Sequence, residues 1–166
     1  MIRIGLISDT HGVLLPFVKK ALEETDEIWH AGDIGGLHVL DELRKIKPLR
    51  AIHGNIDDHR VRLECPEYLL FDIESLRVLM MHIGGYPGKY SPQARLLIKE
   101  HQPGLFISGH SHILKVMPDP VNQLLHLNPG ACGKQGIHTK YTLLRFSIEG
   151  GRVTRIEVVE KDRKES

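Results

Sequence analysis

IRIGLISDTHG, residues 2–12, runs from an apolar stretch directly into an aspartate and a histidine. The same step recurs: EIWHAG precedes Asp33, LRAIHG precedes Asn55, RVLMM precedes His82, and LFISG precedes His110 and His112. If each apolar run is a strand, then Asp9, His11, Asp33, Asn55, His82, His110 and His112 all leave carboxyl ends of strands. One edge of one sheet could then collect all seven, in the crevice where open α/β sheets bind their ligands.

Working outward, Ile2 to Ser8 reads as a buried strand. A helix follows from about Pro16 to Glu24, with proline in its first turn and Phe17, Val18, Ala21 and Leu22 as its apolar stripe. Ile28 to Ala31 is strand-like, Leu37, Leu40, Leu43 and Ile46 mark a second helix, and Leu49 to His53 returns as a strand, giving a parallel βαβαβ half. Tyr68 to Ile73 and Leu76 to Met81 then read as an antiparallel hairpin, and Ser91-Pro92 as the cap and first turn of a helix carrying Ala94, Leu97, Ile98 and His101. Leu105 to Ser108, Ile113 to Val116, Leu124 to Leu127, Tyr141 to Ile148 and Val153 to Val159 are expected to form a second, mostly antiparallel portion of sheet, with Gly150-Gly151 as a hairpin turn. The expected architecture is two packed sheets with helices outside, in a single domain over 1–166 whose charged end, 161–166, is expected to fray.

A chain of 166 residues is long enough to bury roughly 70% of its unfolded surface in one core. Its 22 basic and 21 acidic side chains nearly cancel, to a formal charge of +1, so no broad basic face exists to hold extended nucleic acid by counterion release. Eleven histidines, against four Phe, four Tyr and one Trp, suggest that some imidazoles serve a metal. Cys65 and Cys132 form no C-x-x-C pattern and fit two packed, reduced thiols in a cytoplasmic protein. The apolar part of MIRIGLISDTH is too short for a signal or a membrane span, so a soluble, non-exported protein is expected.

In an extended segment residues i and i+2 share a side, so Asp9 and His11 can grip one ion together, as can His110 and His112 if their loop stays extended. Gly32, Gly54 and Gly109 precede Asp33, Asn55 and His110, where the absence of Cβ lets the backbone pass beneath a crowded cluster. Two divalent ions facing only the carboxylates of Asp9 and Asp33 would keep roughly two positive charges uncompensated, enough to acidify a water and attract a phosphate oxygen. The mixed oxygen and imidazole donors suit Mn²⁺, Zn²⁺, Fe²⁺ or Ni²⁺; they do not rank the four, and manganese is taken as the working choice.

With those positions in hand, the chain resembles the calcineurin-like metallophosphoesterases, in particular their small prokaryotic phosphodiesterase branch. SDTHG at 8–12, AGDI at 31–34, HGNID at 53–57, MHIG at 81–84, SGHSH at 108–112 and NPGA at 128–131 carry the resemblance in order and spacing. It implies an α/β fold, a two-sheet α/β/β/α sandwich of mixed sheets with flanking helices. By the same resemblance Asp9, His11, Asp33 and His112 would hold one ion, and Asp33, Asn55, His82 and His110 the other. Many members place a histidine after the asparagine to help protonate the leaving group, whereas Ile56 stands here. His59, four residues beyond Asn55, is the candidate substitute.

The activity expected is hydrolysis of a small or exposed phosphate ester, a diester in the first instance, by direct attack of a metal-bridging hydroxide, with Asn55 setting geometry. Within GGYPGKY, residues 84–90, Lys89 is the candidate contact to a phosphate oxygen and Tyr86 to an organic group; a turn-rich connector is the equal alternative. His30, His38, His53, His101, His126 and His138 are read as structural or solvent-facing, and Asn128-Pro129-Gly130 as a turn. Two other functions stay open: a non-catalytic interaction scaffold, the use made of this fold by a retromer subunit, and a nuclease. A homo-oligomer is compatible with the sequence.

Overall fold

Strands that are apolar apart from one exposed arginine near the start, as in β1 (Ile2–Ile7, with Arg3) and β5 (Leu76–Met81, with Arg77), or apolar throughout, as in β8 (Leu105–Ile107), are covered on both faces. The computed structural model, which describes residues 1–165, builds two five-stranded sheets around them. The first has the order β12-β11-β1-β2-β3, where β2 is Glu27–His30, β3 Leu49–Ala51, β11 Lys140–Glu149 and β12 Arg152–Asp162. The second has the order β4-β5-β8-β10-β9, where β4 is Tyr68–Ile73, β9 Leu114–Asp119 and β10 Leu124–Pro129.

Alternate residues of the same strands feed different layers. Ile4 and Leu6 of β1, Trp29 of β2, Val78 and Met80 of β5 and Phe146 of β11 fill the space between the sheets. There the Trp29 ring meets Phe71 and Phe146 edge-on, with centroids 5.1 and 5.8 Å away. Ile7 and Ile28 face outward onto α1 (Pro16–Glu23) and α2 (Leu37–Ile46) through Val18, Leu22, Leu40 and Leu43. On the opposite side Leu79, Met81 and Phe106 pack against Ala94, Leu97 and Ile98 of α4 (Pro92–His101). The layers are therefore α/β/β/α, as the resemblance implied. Ser91 caps α4 by accepting from Ala94 N at 3.2 Å, ahead of Pro92 in the first turn.

Three expectations are corrected. Strands β11 and β12 do not extend the second sheet: β11 returns to pair antiparallel with β1, Ile2 opposite Ile148, and closes the first sheet's free edge. The second sheet is mixed, since β5, β8 and β10 run parallel and only β4 and β9 are antiparallel additions. Asn128-Pro129 ends β10 and is not a turn. At the charged end β12 continues through Asp162 into a 3-10 turn at Arg163–Glu165, and the Arg163 guanidinium donates to the carbonyls of Lys134, Gly136 and His138. Ser166 lies outside the described residues. A short helix, α3 (His59–Glu64), and a small hairpin, β6 (Gly85–Tyr86) with β7 (Lys89–Tyr90), complete the fold.

Candidate metal centre

The carboxyl ends of β1, β2, β3, β5 and β8 lie along the same edge of the two sheets, and each delivers its candidate ligands there. Backbone bonds tie the emerging loops together: Asp9 N donates to Gly32 O at 2.9 Å, His11 N to Asp33 O at 3.0 Å, and Gly109 N to His82 O at 3.0 Å. Two triads result, Asp9 with His11 and His112, and Asp33 with His82 and His110, each with ligand atoms within 4.8 Å of one another.

Each carboxylate spends one oxygen on the protein and turns the other to its neighbours. Asp9 Oδ2 accepts from Ser8 Oγ at 2.6 Å and His110 N at 3.2 Å, while Oδ1 faces His112 Nε2 at 3.1 Å and His11 Nε2 at 3.6 Å. Asp33 Oδ1 accepts from Ile56 N at 3.1 Å, while Oδ2 lies 3.4 Å from His11 Nε2 and 3.2 Å from His82 Nε2. One oxygen of Asp33 thus faces an imidazole from each triad. His82 Nδ1 is 2.7 Å from Ala31 O, and since a carbonyl only accepts, Nδ1 carries the proton and Nε2 presents a lone pair. Nε2 of His82 and Nε2 of His11 are both buried without a hydrogen-bond partner, an arrangement costly in a finished core and suited to an ion. Asn55 joins on the exposed side, its Oδ1 3.1 Å from His110 Nδ1.

The local backbone differs from the extended i, i+2 geometry expected. Asp9, His11, Asp33, His110 and His112 all have left-handed φ, between 47° and 70°, which non-glycine residues rarely adopt. Five of the seven candidate ligands sit on such kinks, whereas Asn55 and His82 do not. The glycine steps behave as expected: a Cβ on Gly54 would strike the Asp33 carboxylate and its backbone nitrogen, and one on Gly32 would stand 2.7 Å from His82 Nδ1.

Burial alone would push the Asp9 carboxyl up, but the adjacent His11 imidazole, the hydrogen-bonded His112, the charge of His82 and the Ser8 hydroxyl together hold it far below the usual range. Asp33 is likewise lowered: burial opposes, and His82 and the Ile56 amide outweigh it. The neighbouring Asp9 carboxylate raises the His11 imidazole against its burial, and deeper burial opposes but does not prevent the rise that the two carboxylates cause at His82. The ligand set is an anionic pair of carboxylates surrounded by imidazoles, of which His11 and His82 are drawn toward positive charge, and a divalent cation answers that field directly.

Asp57 and Asn128 brace the loops. Asp57 accepts from Ile34 N, Gly35 N and Gly54 N at 3.1, 2.8 and 2.8 Å, joining the loops after β2 and β3, and Asp58 caps α3. Asn128 Nδ2 donates to Gly109 O and Ser111 Oγ, steadying the loop that carries His110 and His112. His30 is structural as read: Gly32 N donates to its Nδ1, Nε2 therefore donates to Thr10 Oγ1, and burial pushes its pKa down to about 4. Cys65 and Cys132 are free and buried, with pKa values raised to about 11 and about 12 by that burial.

Two clefts flank the cluster. One, of about 200 Å³, is lined by Asn55 and His82 together with His53, Arg62, Glu67 and Gln93. The other, of about 160 Å³, is lined by His110 with Tyr86, Ser111, Lys115 and Asn128. Tyr86 therefore sits beside the ligands, whereas Lys89 is exposed on β7 and lines neither cleft; Lys115 is the cation there, its Nζ 4.5 Å over the Tyr86 ring. His59 is exposed at the first position of α3 and lines neither cleft, so nothing in the geometry sets it against a leaving group. Arg62, Lys115 and His138 were missed; the last packs edge-to-face on His112 at 5.3 Å. None of the three follows a strand directly, so the pattern that found the ligands could not find them.

The family model described as the calcineurin-like phosphoesterase superfamily domain matches residues 2–151. The chain belongs to this superfamily. Its members are metal-dependent phosphoesterases, and the two triads supply what such chemistry requires. A "Probable metallophosphoesterase" of Methanothermobacter thermautotrophicus is 36% identical over 135 residues, 77% of this chain and 76% of that protein. Among solved structures, an archaeal phosphodiesterase shares the fold at TM-score 0.75 and 24% identity, covering 95% of this chain and all of that one. Vps29 of Entamoeba histolytica, solved with Zn²⁺, shares it at TM-score 0.74 and 15% identity, over 97% of this chain and 99% of that one. Among the described residues no helix is long and apolar enough to cross a membrane.

Proposed function

We propose that this phosphoesterase is a binuclear phosphodiesterase, with Asp33 shared between an ion held by Asp9, His11 and His112 and a second held by Asn55, His82 and His110. The observation that carries the reading is Asp33 Oδ2, set 3.4 Å from one unpartnered imidazole nitrogen and 3.2 Å from another. Two divalent ions about 3.5–4 Å apart would polarise the ester, acidify the attacking water and align it with phosphorus. The chain's own part is to hold that geometry: Ser8 and the His110 amide fix Asp9, the Ile56 amide fixes Asp33, and Ala31 O fixes the proton of His82.

Room for two ester arms favours a diester, since a cleft opens on the Asn55 side and another on the His110 side. With Ile56 after Asn55, the substrates favoured are those whose leaving group departs without a proton. Manganese is the working metal and zinc, iron and nickel are the alternatives. Metal-stripped protein resupplied with Mn²⁺ is expected to hydrolyse an activated aryl phosphodiester. Absence of turnover, with Asp33→Asn indistinguishable from the parent, would overturn the reading.

The second reading, an interaction scaffold, is favoured by the likeness to Vps29. That relative was itself solved with Zn²⁺, so metal loading does not separate the two and only turnover does.

A further inference from the structure

Lys115 stands half-buried on β9 beside His110, and among the described residues it forms no ion pair. Its one close partner is the Tyr86 ring, which holds the ammonium without neutralising it. Ser111 lines the same cleft. Its oxygen accepts from Asn128 Nδ2 at 3.2 Å and from Ile113 N at 3.2 Å, so both lone pairs are occupied and its proton is free to be given away. Two donors without an acceptor thus border a cleft of about 160 Å³ whose wall includes a candidate metal ligand.

Charge decides what belongs there. In the binuclear reading two ions and two carboxylates keep roughly two positive charges, which a phosphodiester monoanion and its attacking hydroxide offset between them. The charge of Lys115 is then still unmatched. A neutral alkyl or aryl arm would cover the half-buried ammonium without answering its charge and leave the exposed Ser111 hydroxyl only water to donate to, whereas an anionic arm would accept from both.

We propose that this cleft is a subsite for a second anionic group on the substrate, a phosphate or a carboxylate, with Lys115 and Ser111 as its donors. The inference rests on the binuclear reading and narrows the substrates to phosphate esters carrying an additional negative charge near the scissile phosphorus.

Calorimetry on the Mn²⁺-loaded protein tests it with two phosphonates of equal reach, 3-phosphonopropionate and the uncharged-tail propylphosphonate. The expected result is roughly tenfold tighter binding of the carboxylate-bearing ligand, the gain of one charge-assisted hydrogen bond at a half-exposed cation. Lys115→Met should bring the ratio to about one, and Lys115→Arg should restore it. Independently, NMR of ¹³C-methylated lysines should show the Lys115 signal moving with 3-phosphonopropionate and not with propylphosphonate. Equal affinities in the parent, or a preference that survives Lys115→Met, would overturn the subsite while leaving the metal centre standing. Binding of neither phosphonate would overturn the oxyanion centre, and the subsite with it.

Discussion

Asp33 carries the centre at the scale of a single residue, because its Oδ2 faces imidazoles of both triads. Asp33→Asn is therefore expected to lower kcat/KM on an aryl diester by at least about 100-fold, as judged against a 10–100-fold effect for residues that only orient ligands. Ser8→Ala, which removes a 2.6 Å bond to the protein-facing oxygen of Asp9, belongs to that milder class and should weaken Mn²⁺ binding about tenfold in a titration. His126, buried on β10 and donating through Nδ1 to Phe106 O, has its pKa pushed down by burial from 6.5 to about 4. A base with a depressed folded pKa contributes stability above the unfolded value and loses it as pH falls through the folded one. Up to about 3 kcal/mol should therefore vanish between pH 6.5 and 4, and urea titrations should show a flatter slope in that window for His126→Leu. The seven ligands were legible in the sequence because each stands one to five residues past an apolar run. Lys115 and Arg62 were not, since a strand and a helix from elsewhere in the chain bring them in and neither sits in a local pattern.

At the scale of elements, the largely apolar runs of β1, β5 and β8 announced strands covered on both faces, and Pro16 and Ser91-Pro92 announced helix starts. What stayed hidden was partnership. β11 alternates as well against β1 as it would against a strand of the second sheet, and only the closing of the first sheet's open edge selects β1. Helix α3 also escaped: six residues with Val61 alone buried make no stripe. It depends on its cap, Asp58, whose carboxylate accepts from Arg60 N and Val61 N at 3.1 and 3.2 Å. Asp58→Ala should cost about 1 kcal/mol in chemical denaturation and loosen Arg62, which braces the carbonyls of Gly54, Asn55 and Asp57 from that helix.

For the molecule as a whole, the two sheets meet through one apolar layer while their carboxyl edges assemble the ligands, so any ion there ties both sheets together. Saturating Mn²⁺ at about 100 times its dissociation constant should add about 2.7 kcal/mol per site, a rise of about 5–10 °C in Tm that a chelator reverses. The left-handed backbone at His11 adds a further consequence. His11→Gly relaxes a conformation that costs an L-residue about 1–2 kcal/mol and deletes a buried nitrogen lacking a partner. In chelator the variant should melt higher than its parent, and with Mn²⁺ the order should invert. A protein of this kind is tuned for its cargo at the expense of the empty chain, so a screen for heat resistance run without metal would select against the very residues that give it a purpose.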